Sequence, residues 1–253
     1  MKKLAIITGA SGFLAKNVIN VLEQSYDKIY LIDIEKNKEK INNERFFDVQ
    51  LDVTNETDVK NFFQNLEFNK FSSSVLVNMA AVDYKVTNSG ANFKWNMKNA
   101  DITLMKKGLE VSLIGTFLMS KYFCEESIQN GHNSNILNFA SDLSILISDD
   151  SVYGDNDTHK PIDYAISKHG LIGLTKYFSV YYAKNNIRVN AISPSGVKNN
   201  QNDEFIVNYS KLTPMNRMLE ASEIESAVEF LISEKSSYVT GQNLIIDGGK
   251  SIW

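Results

Sequence analysis

The feature that most constrains this chain is the steady alternation of short apolar runs with longer stretches of helical periodicity. Runs at Leu4–Thr8, Ile29–Asp33, Phe46–Val49, Ser74–Asn78, Asn135–Ala140, Ile187–Ile192 and Asn243–Asp247 read as strands. Several are apolar nearly throughout, the pattern of strands covered on both faces. Helical patterns fall between them, near 13–24, 54–66, 100–130, 162–185 and 222–233. In the last, Ile224, Ala227, Val228 and Leu231 recur at i, i+3, i+4 and i+7 and make one apolar stripe. Thr54, with Glu56 and Thr57, suits the polar start of the helix that ends near Leu66. Such alternation builds βαβ units around a parallel sheet. No Pro/Gly/Ser linker, repeat or low-complexity tract breaks it. The expectation is an α/β fold, one doubly wound domain over 1–253 with seven parallel strands flanked by helices.

Composition narrows the function. The chain has 26 Lys+Arg against 30 Asp+Glu, a net charge of −4, which gives no basic footprint for nucleic acid. No run of about 18 apolar residues exists to span a bilayer. The apolar start through Ile7 breaks at Thr8-Gly9, short of the roughly 7–15 residues a signal peptide needs. The single Cys124 excludes an intrachain disulfide and Cys-based zinc sites, and fits a reducing, cytoplasmic compartment. His132, His159 and His169 lack ligand-like spacing, so no metal site is expected.

Two motifs carry chemistry. Thr8-Gly9-Ala10-Ser11-Gly12-Phe13-Leu14-Ala15 follows the first strand and opens a helix. Glycines there allow a tight turn and let backbone N–H groups approach a pyrophosphate at the helix N-terminus, the signature of a Rossmann-type dinucleotide site. Asp33 ends the second strand 21 residues beyond Gly12. A carboxylate there accepts hydrogen bonds from a ribose diol and repels a 2′-phosphate, favouring NAD over NADP. Lys36, Lys38 and Lys40 follow closely, either as a solvated charge run or as groups that would welcome a phosphate.

The second motif is Tyr164-Ala165-Ile166-Ser167-Lys168. Residues four apart share a helical face, so the Lys168 ammonium falls near the Tyr164 phenol. Bringing a tyrosine from pH about 10 towards neutrality takes roughly 4 kcal/mol, which a cation about 4 Å away supplies at an effective dielectric near 20. Such a phenol exchanges protons with an oxygen at neutral pH.

With these pieces in order, the whole chain resembles the short-chain dehydrogenase/reductases. The matching segments are the glycine turn, Asp33, Asp52-Val53-Thr54, Val77-Asn78-Met79-Ala80-Ala81, Asn138-Phe139-Ala140-Ser141, Tyr164 to Lys168, Ile187 to Pro194, and Tyr238-Val239-Thr240-Gly241-Gln242 leading to Asp247-Gly248-Gly249. The resemblance implies Tyr164 as general acid/base, Lys168 as the group that activates it and holds the nicotinamide ribose, and Ser141 as hydrogen-bond partner of the substrate oxygen. It further implies Gly9, Ser11, Gly12, Phe13 and Leu14 around the pyrophosphate, and Asp52 with Val53 at the adenine. Asn78 and Ala80 would line the adenosine side, and Pro194 to Val197 would close over the nicotinamide.

Three positions depart from the family pattern. Ala15 replaces the third glycine of the turn, and Ser195 stands where glycine is usual. Ser112 replaces the asparagine thought to hold a water that links the lysine to solvent. A serine hydroxyl reaches less far and offers fewer hydrogen-bonding groups.

Three loops, near 83–107, 142–161 and 195–218, are expected to shape the substrate pocket. The gap from Ser141 to Tyr164 holds Asp142, Asp149, Asp150, Asp155, Asn156, Asp157 and His159, and reads either as a polar lid suited to a polyhydroxylated molecule or as a solvated loop. Phe93 and Trp95 read as an apolar wall, a sugar-stacking face or a loop anchor. The string from Gly196 through Phe205, Tyr209, Thr213-Pro214 and Arg217-Met218 is similar to reductases of bacterial surface-sugar biosynthesis. The expected reaction is NAD(H)-dependent interconversion of a secondary alcohol and a ketone on a sugar-derived small molecule. Its rivals are reduction of a 3-oxoacyl group on a carrier protein, and a cofactor-binding sensor that lost its chemistry. Acidic carrier proteins want a basic docking face, which this chain's charge does not supply. The family resemblance also implies a homo-oligomer, tetramer or dimer, and Trp253 reads either as packed into a neighbour or as an untethered end.

Overall fold

A computed structural model describes residues 2–35, 44–82, 95–154 and 159–253. Lys36, Lys38, Lys40, Phe93, Asp155, Asn156 and Asp157 lie outside the described residues. Seven strands form one parallel sheet: β1 (Lys3–Thr8), β2 (Lys28–Asp33), β3 (Phe46–Gln50), β4 (Ser73–Asn78), β5 (Asn133–Phe139), β6 (Ile187–Pro194) and β7 (Asn243–Ile246). Their order is β3-β2-β1-β4-β5-β6-β7. The chain reverses its direction of winding between β1 and β4, which opens a crevice at the carboxyl ends of those strands, where ligands of such sheets bind.

Both faces of the sheet are covered, which explains the continuous apolar runs. Ala5 and Ile7 of β1, Val75 and Val77 of β4 and Leu137 of β5 pack against α1 (Ala15–Ser25) and α7 (Glu225–Ile232). The alternate residues, Leu4, Ile6, Leu76 and Ile136, pack on the other face. There they meet α2 (Glu56–Gln64), α4 (Thr116–Gln129) and α5 (Ile162–Tyr182). Phe63, Phe68 and Phe123 are fully buried in that layer, with centroids 6.0–6.4 Å apart. Each such ring contributes about 1.5–3 kcal/mol by leaving water.

Phe68 also lies against the buried ring of His132, 5.6 Å between centroids. Burial holds the His132 pKa below its ordinary value. The folded protein therefore holds the ring neutral to a lower pH than the unfolded chain, which binds a proton below about pH 6.5. Below that pH the unfolded state holds more protons, so stability falls as the solution is acidified. Thermal melts between pH 8 and 5 should show this loss, and His132→Phe should flatten it. An unchanged pH profile in that variant would refute the assignment.

Helix boundaries correct the sequence reading in three places. Asn55, not Thr54, caps α2, its side chain accepting from Asp58 N at 3.2 Å. The expected helix over 100–130 is α3 (Ile102–Leu109), a π-helical segment Glu110–Gly115, then α4. The 195–218 segment is not a plain loop, because it holds α6 (Asp203–Ser210), capped by Asn202 on Phe205 N. Among the described residues no helix is long and apolar enough to cross a membrane, and no group of three His, Cys, Asp or Glu is placed to hold a metal ion.

Candidate active site

The crevice at the strand tips is a cleft of about 420 Å³. Gly9 sets its floor. It has φ +68, and a Cβ on it would stand 2.9 Å from the backbone of Ala80. Only glycine allows that approach of the first turn to the end of β4. Thr8 Oγ1 locks the same junction by accepting from Met79 N and Ala80 N. Helix α1 then follows the N-cap position Leu14, with no side-chain cap and no acidic residue in its first turn. Its free N–H groups fit a pyrophosphate, as does the glycine cradle.

Asp33, at the tip of β2, faces the same turn. Its carboxylate accepts from Ser11 N at 2.9 Å and from Glu35 N at 3.1 Å, leaving lone pairs for a further donor. Asp52 is exposed and holds the Thr54 hydroxyl and N–H. Val53 is buried against Gly115, where a Cβ would come within 2.6 Å of its methyl.

On the far side of the cleft, Ser141 leaves the end of β5 and Tyr164 and Lys168 project from α5. All three line the cleft. Lys168 is buried and donates to Phe139 O at 2.8 Å, which ties α5 to the tip of β5. Its ammonium lies 5.4 Å from the Tyr164 ring centre, and that of Lys160 lies 4.3 Å from it. The placement expected from four-residue spacing is therefore met. Ser141 Oγ donates to Asp142 Oδ1 at 2.9 Å and accepts from Leu143 N.

Of the other expected site residues, Gly9, Gly12, Phe13, Leu14, Pro194 and Val197 line this cleft. Asn78 does not turn its side chain to it. Its amide donates to Ser120 and Asn138, and Asn138 donates in turn to Thr175, a buried polar ladder linking β4, β5, α4 and α5. Ala80 bears on the cleft through the backbone that meets Gly9. Ser112 is buried within the π-helical segment, whose Leu113 presses on Gly170, two residues beyond Lys168. π-Helical turns of this kind gather at functional sites.

The described part of the 142–161 segment is a wall of the cleft and not a solvated loop: Asp142, Leu143, Ser148, Asp149, Val152, Tyr153 and Lys160 all line it. Trp95 lies elsewhere, buried with its carbonyl accepting from His159 N, in the role of an anchor. Sequence reasoning missed Lys250, which follows β7 and reaches the cleft to pair with the buried Asp142 at 2.9 Å. Burial opposes the Lys250 charge, yet Asp142 and then Tyr209 hold its pKa above the ordinary lysine value. The Tyr209 phenol is pushed up by burial and by Asp142.

Residues 20–251 match a family model described as enoyl-(acyl carrier protein) reductase. The chain belongs to the short-chain dehydrogenase/reductase family. A solved short-chain dehydrogenase from Leptospira borgpetersenii, with bound NAD+, superimposes with a TM-score of 0.88 and 34% identity over 100% of this chain and 94% of that one. The NAD-dependent glycerol dehydrogenase of Listeria innocua is 27% identical over 99% of this chain and 94% of its own. The mitochondrial borneol dehydrogenase of Lavandula x intermedia is 30% identical over 99% and 91%. This protein is accordingly an oxidoreductase that uses a nicotinamide dinucleotide, built on a single Rossmann-type domain.

Proposed function

We propose that this enzyme interconverts a secondary alcohol and a ketone on a sugar-derived, polyhydroxylated substrate, with NAD(H) as cofactor and surface-glycan assembly as its setting. The observation that carries the reading is the polar wall of the cleft beside Ser141, where Asp142, Lys250, Tyr209 and Ser195 converge. An acyl chain, as in the carrier-protein reading, makes no hydrogen bond to that polar wall, whereas substrate hydroxyls do. Ser141, Tyr164 and Lys168 standing together in one cleft support an enzyme over a sensor.

Tyr164 exchanges the proton with the substrate oxygen, and Ser141 turns its hydroxyl from Asp142 Oδ1 to hydrogen-bond that oxygen. The Lys168 charge favours the phenolate and its donors reach the nicotinamide ribose. Ser112 holds a water on the proton path. Gly9, Ser11, Gly12, Phe13 and Leu14 receive the pyrophosphate, Asp52 and Val53 the adenine, and Ala80 the adenosine side, while Asn78 braces the strand behind it. Pro194 and Val197 cover the nicotinamide. The cofactor, when bound, takes up or gives the hydride.

NAD is the preferred form because the Asp33 carboxylate is fixed by two backbone N–H groups where a ribose diol would donate to it. Asp33→Asn keeps an acceptor for Ser11 N while removing the charge. It should raise kcat/KM with NADP+ relative to NAD+ by about 10- to 100-fold, read from initial rates with each cofactor. An unchanged ratio would remove Asp33 from the selection. The substrate class is tested by absorbance at the NADH band with NAD+ and a panel of sugars, polyols and plain secondary alcohols. Turnover confined to the plain alcohols would refute it. The exposed Tyr177, Val180 and Tyr181 of α5 (68%, 80% and 65% accessible) support a homo-oligomer that covers this helix. The lone buried Cys124 is in keeping with a cytoplasmic protein.

A further inference from the structure

A buried ion pair stands in the cleft wall next to Ser141. Lys250 Nζ lies 2.9 Å from Asp142 Oδ2, with only 10% and 4% of the two side chains accessible. Tyr209 donates to the same oxygen at 3.0 Å, and Ser195 Oγ does so at 3.2 Å. Lys250 Nζ also donates to the Tyr209 oxygen at 3.2 Å, and Gly196 N donates to it at 2.7 Å. The other carboxylate oxygen, Oδ1, accepts a hydrogen bond from the Ser141 hydroxyl. Three distant segments meet here: the exit of β5, the stretch from β6 to α6, and the turn after β7.

Stability alone does not call for this cluster. Taking two charges out of water costs as much as their attraction returns, and apolar packing in their place is often neutral or stabilising. The neighbouring wall shows that apolar side chains fit: Leu143, Val152 and Met218 line it and are buried. An ion pair kept beside the serine that meets the substrate oxygen has a use on the ligand side.

Hydrogen-bond inventory says what that ligand carries. An ammonium has three N–H donors, and Lys250 gives two of them to Asp142 and Tyr209. The third has no acceptor among the described residues. Asp142 Oδ1 accepts from Ser141 and keeps lone-pair capacity. The pair is neutral overall and shows a donor beside an acceptor. An anionic ligand group would suit Lys250 but confront Asp142, and a cationic one would meet the reverse. A hydroxyl, which both donates and accepts, satisfies both.

We propose that Lys250 and Asp142, braced by Tyr209, form a hydroxyl-recognition subsite that binds a hydroxyl on a carbon close to the reacting one and so selects polyols and sugars over plain secondary alcohols. This rests on the polyhydroxylated-substrate reading above and names the residues that enforce it. A plain alcohol would seal the free donor and acceptor from water without partners, and each hydrogen bond to a charged group is worth roughly ten- to a hundredfold.

The test compares kcat/KM for D-arabinitol and for cyclohexanol with NAD+. Wild type should favour D-arabinitol, and Lys250→Met should lower that ratio roughly ten- to a hundredfold. Lys250→Arg, which keeps the charge, should restore most of it. If circular dichroism shows Lys250→Met unfolded, Lys250→Gln carries the same comparison, and a ratio there equal to wild type overturns the subsite. A preference that survives in Lys250→Met, or two substrates that fall by the same factor, would mean that the pair only braces the fold, and overturns the subsite while the polyol reading stands. A wild type that favours cyclohexanol, or turns over neither, overturns the polyol reading and the subsite with it.

Discussion

Tyr164→Phe is expected to lower kcat by roughly 10²–10⁴-fold, the usual contribution of a positioned proton donor, while NADH binding stays within a few-fold of wild type. The substitution deletes one oxygen and keeps the ring. The ring is what Lys160 and Lys168 face, at 4.3 and 5.4 Å from its centre, and a phenylalanine offers the same face to both cations. Lys168 stays tethered to Phe139 O, so the tip of β5 and Ser141 with it keep their places. The glycine turn and Asp33 lie across the cleft and are untouched. Stopped-flow or steady-state absorbance gives kcat, and NADH fluorescence gives Kd in the same samples. A kcat near wild type would strip Tyr164 of the proton-transfer role. Loss of turnover together with loss of NADH binding would mean that the phenol holds the site together and does not act in the chemical step.

That prediction was readable from the chain because Tyr164 and Lys168 are local neighbours whose spacing alone sets a shared face. The strands were readable for a related reason. A segment such as Leu4–Thr8 is buried on both sides, so its apolar run marks it within a residue or two. What escaped depends on distant parts of the chain. Nothing in Glu110–Gly115 is hostile to an ordinary helix; the π-helical widening accompanies contacts with α5 and with the stretch after β3, where Leu113 meets Gly170 and Gly115 meets Val53. Helix α6 is a single short stretch with Phe205, Ile206 and Tyr209 as its apolar side, embedded in Asn-rich polar sequence. The cap Asn202 and the acidic pair Asp203 and Glu204 were the signal that could have revealed it. Lys250 was unreadable as a site residue because its partner Asp142 lies 108 positions away, and only the β5–β6–β7 adjacency brings them together. Asn78 stood in the right motif, yet its side chain serves the buried ladder between strands.

The Gly9→Val substitution should abolish cofactor binding and cost roughly 2–5 kcal/mol of stability, the sum of left-handed strain and overpacking. At the size of this chain that is a fall of about 5–15 °C in Tm. Two causes combine at this residue. Its φ of +68 is one that a β-branched residue strongly resists. Its Cβ would also collide at 2.9 Å with the backbone of Ala80, and a backbone cannot swing aside as a side-chain tip can. The turn would have to lift away from β4, breaking the grip of Thr8 Oγ1 on Met79 N and Ala80 N and moving the free N–H groups at the start of α1. Gly131 separates the two causes. It has φ +65, but a Cβ there would meet no atom within 4 Å. Gly131→Ala therefore bears the conformational strain alone, about 1 kcal/mol, and should bind NADH normally. If Gly9→Val and Gly131→Ala destabilise equally and both retain NADH binding, the close approach of the first turn to β4 is not what shapes the dinucleotide cradle.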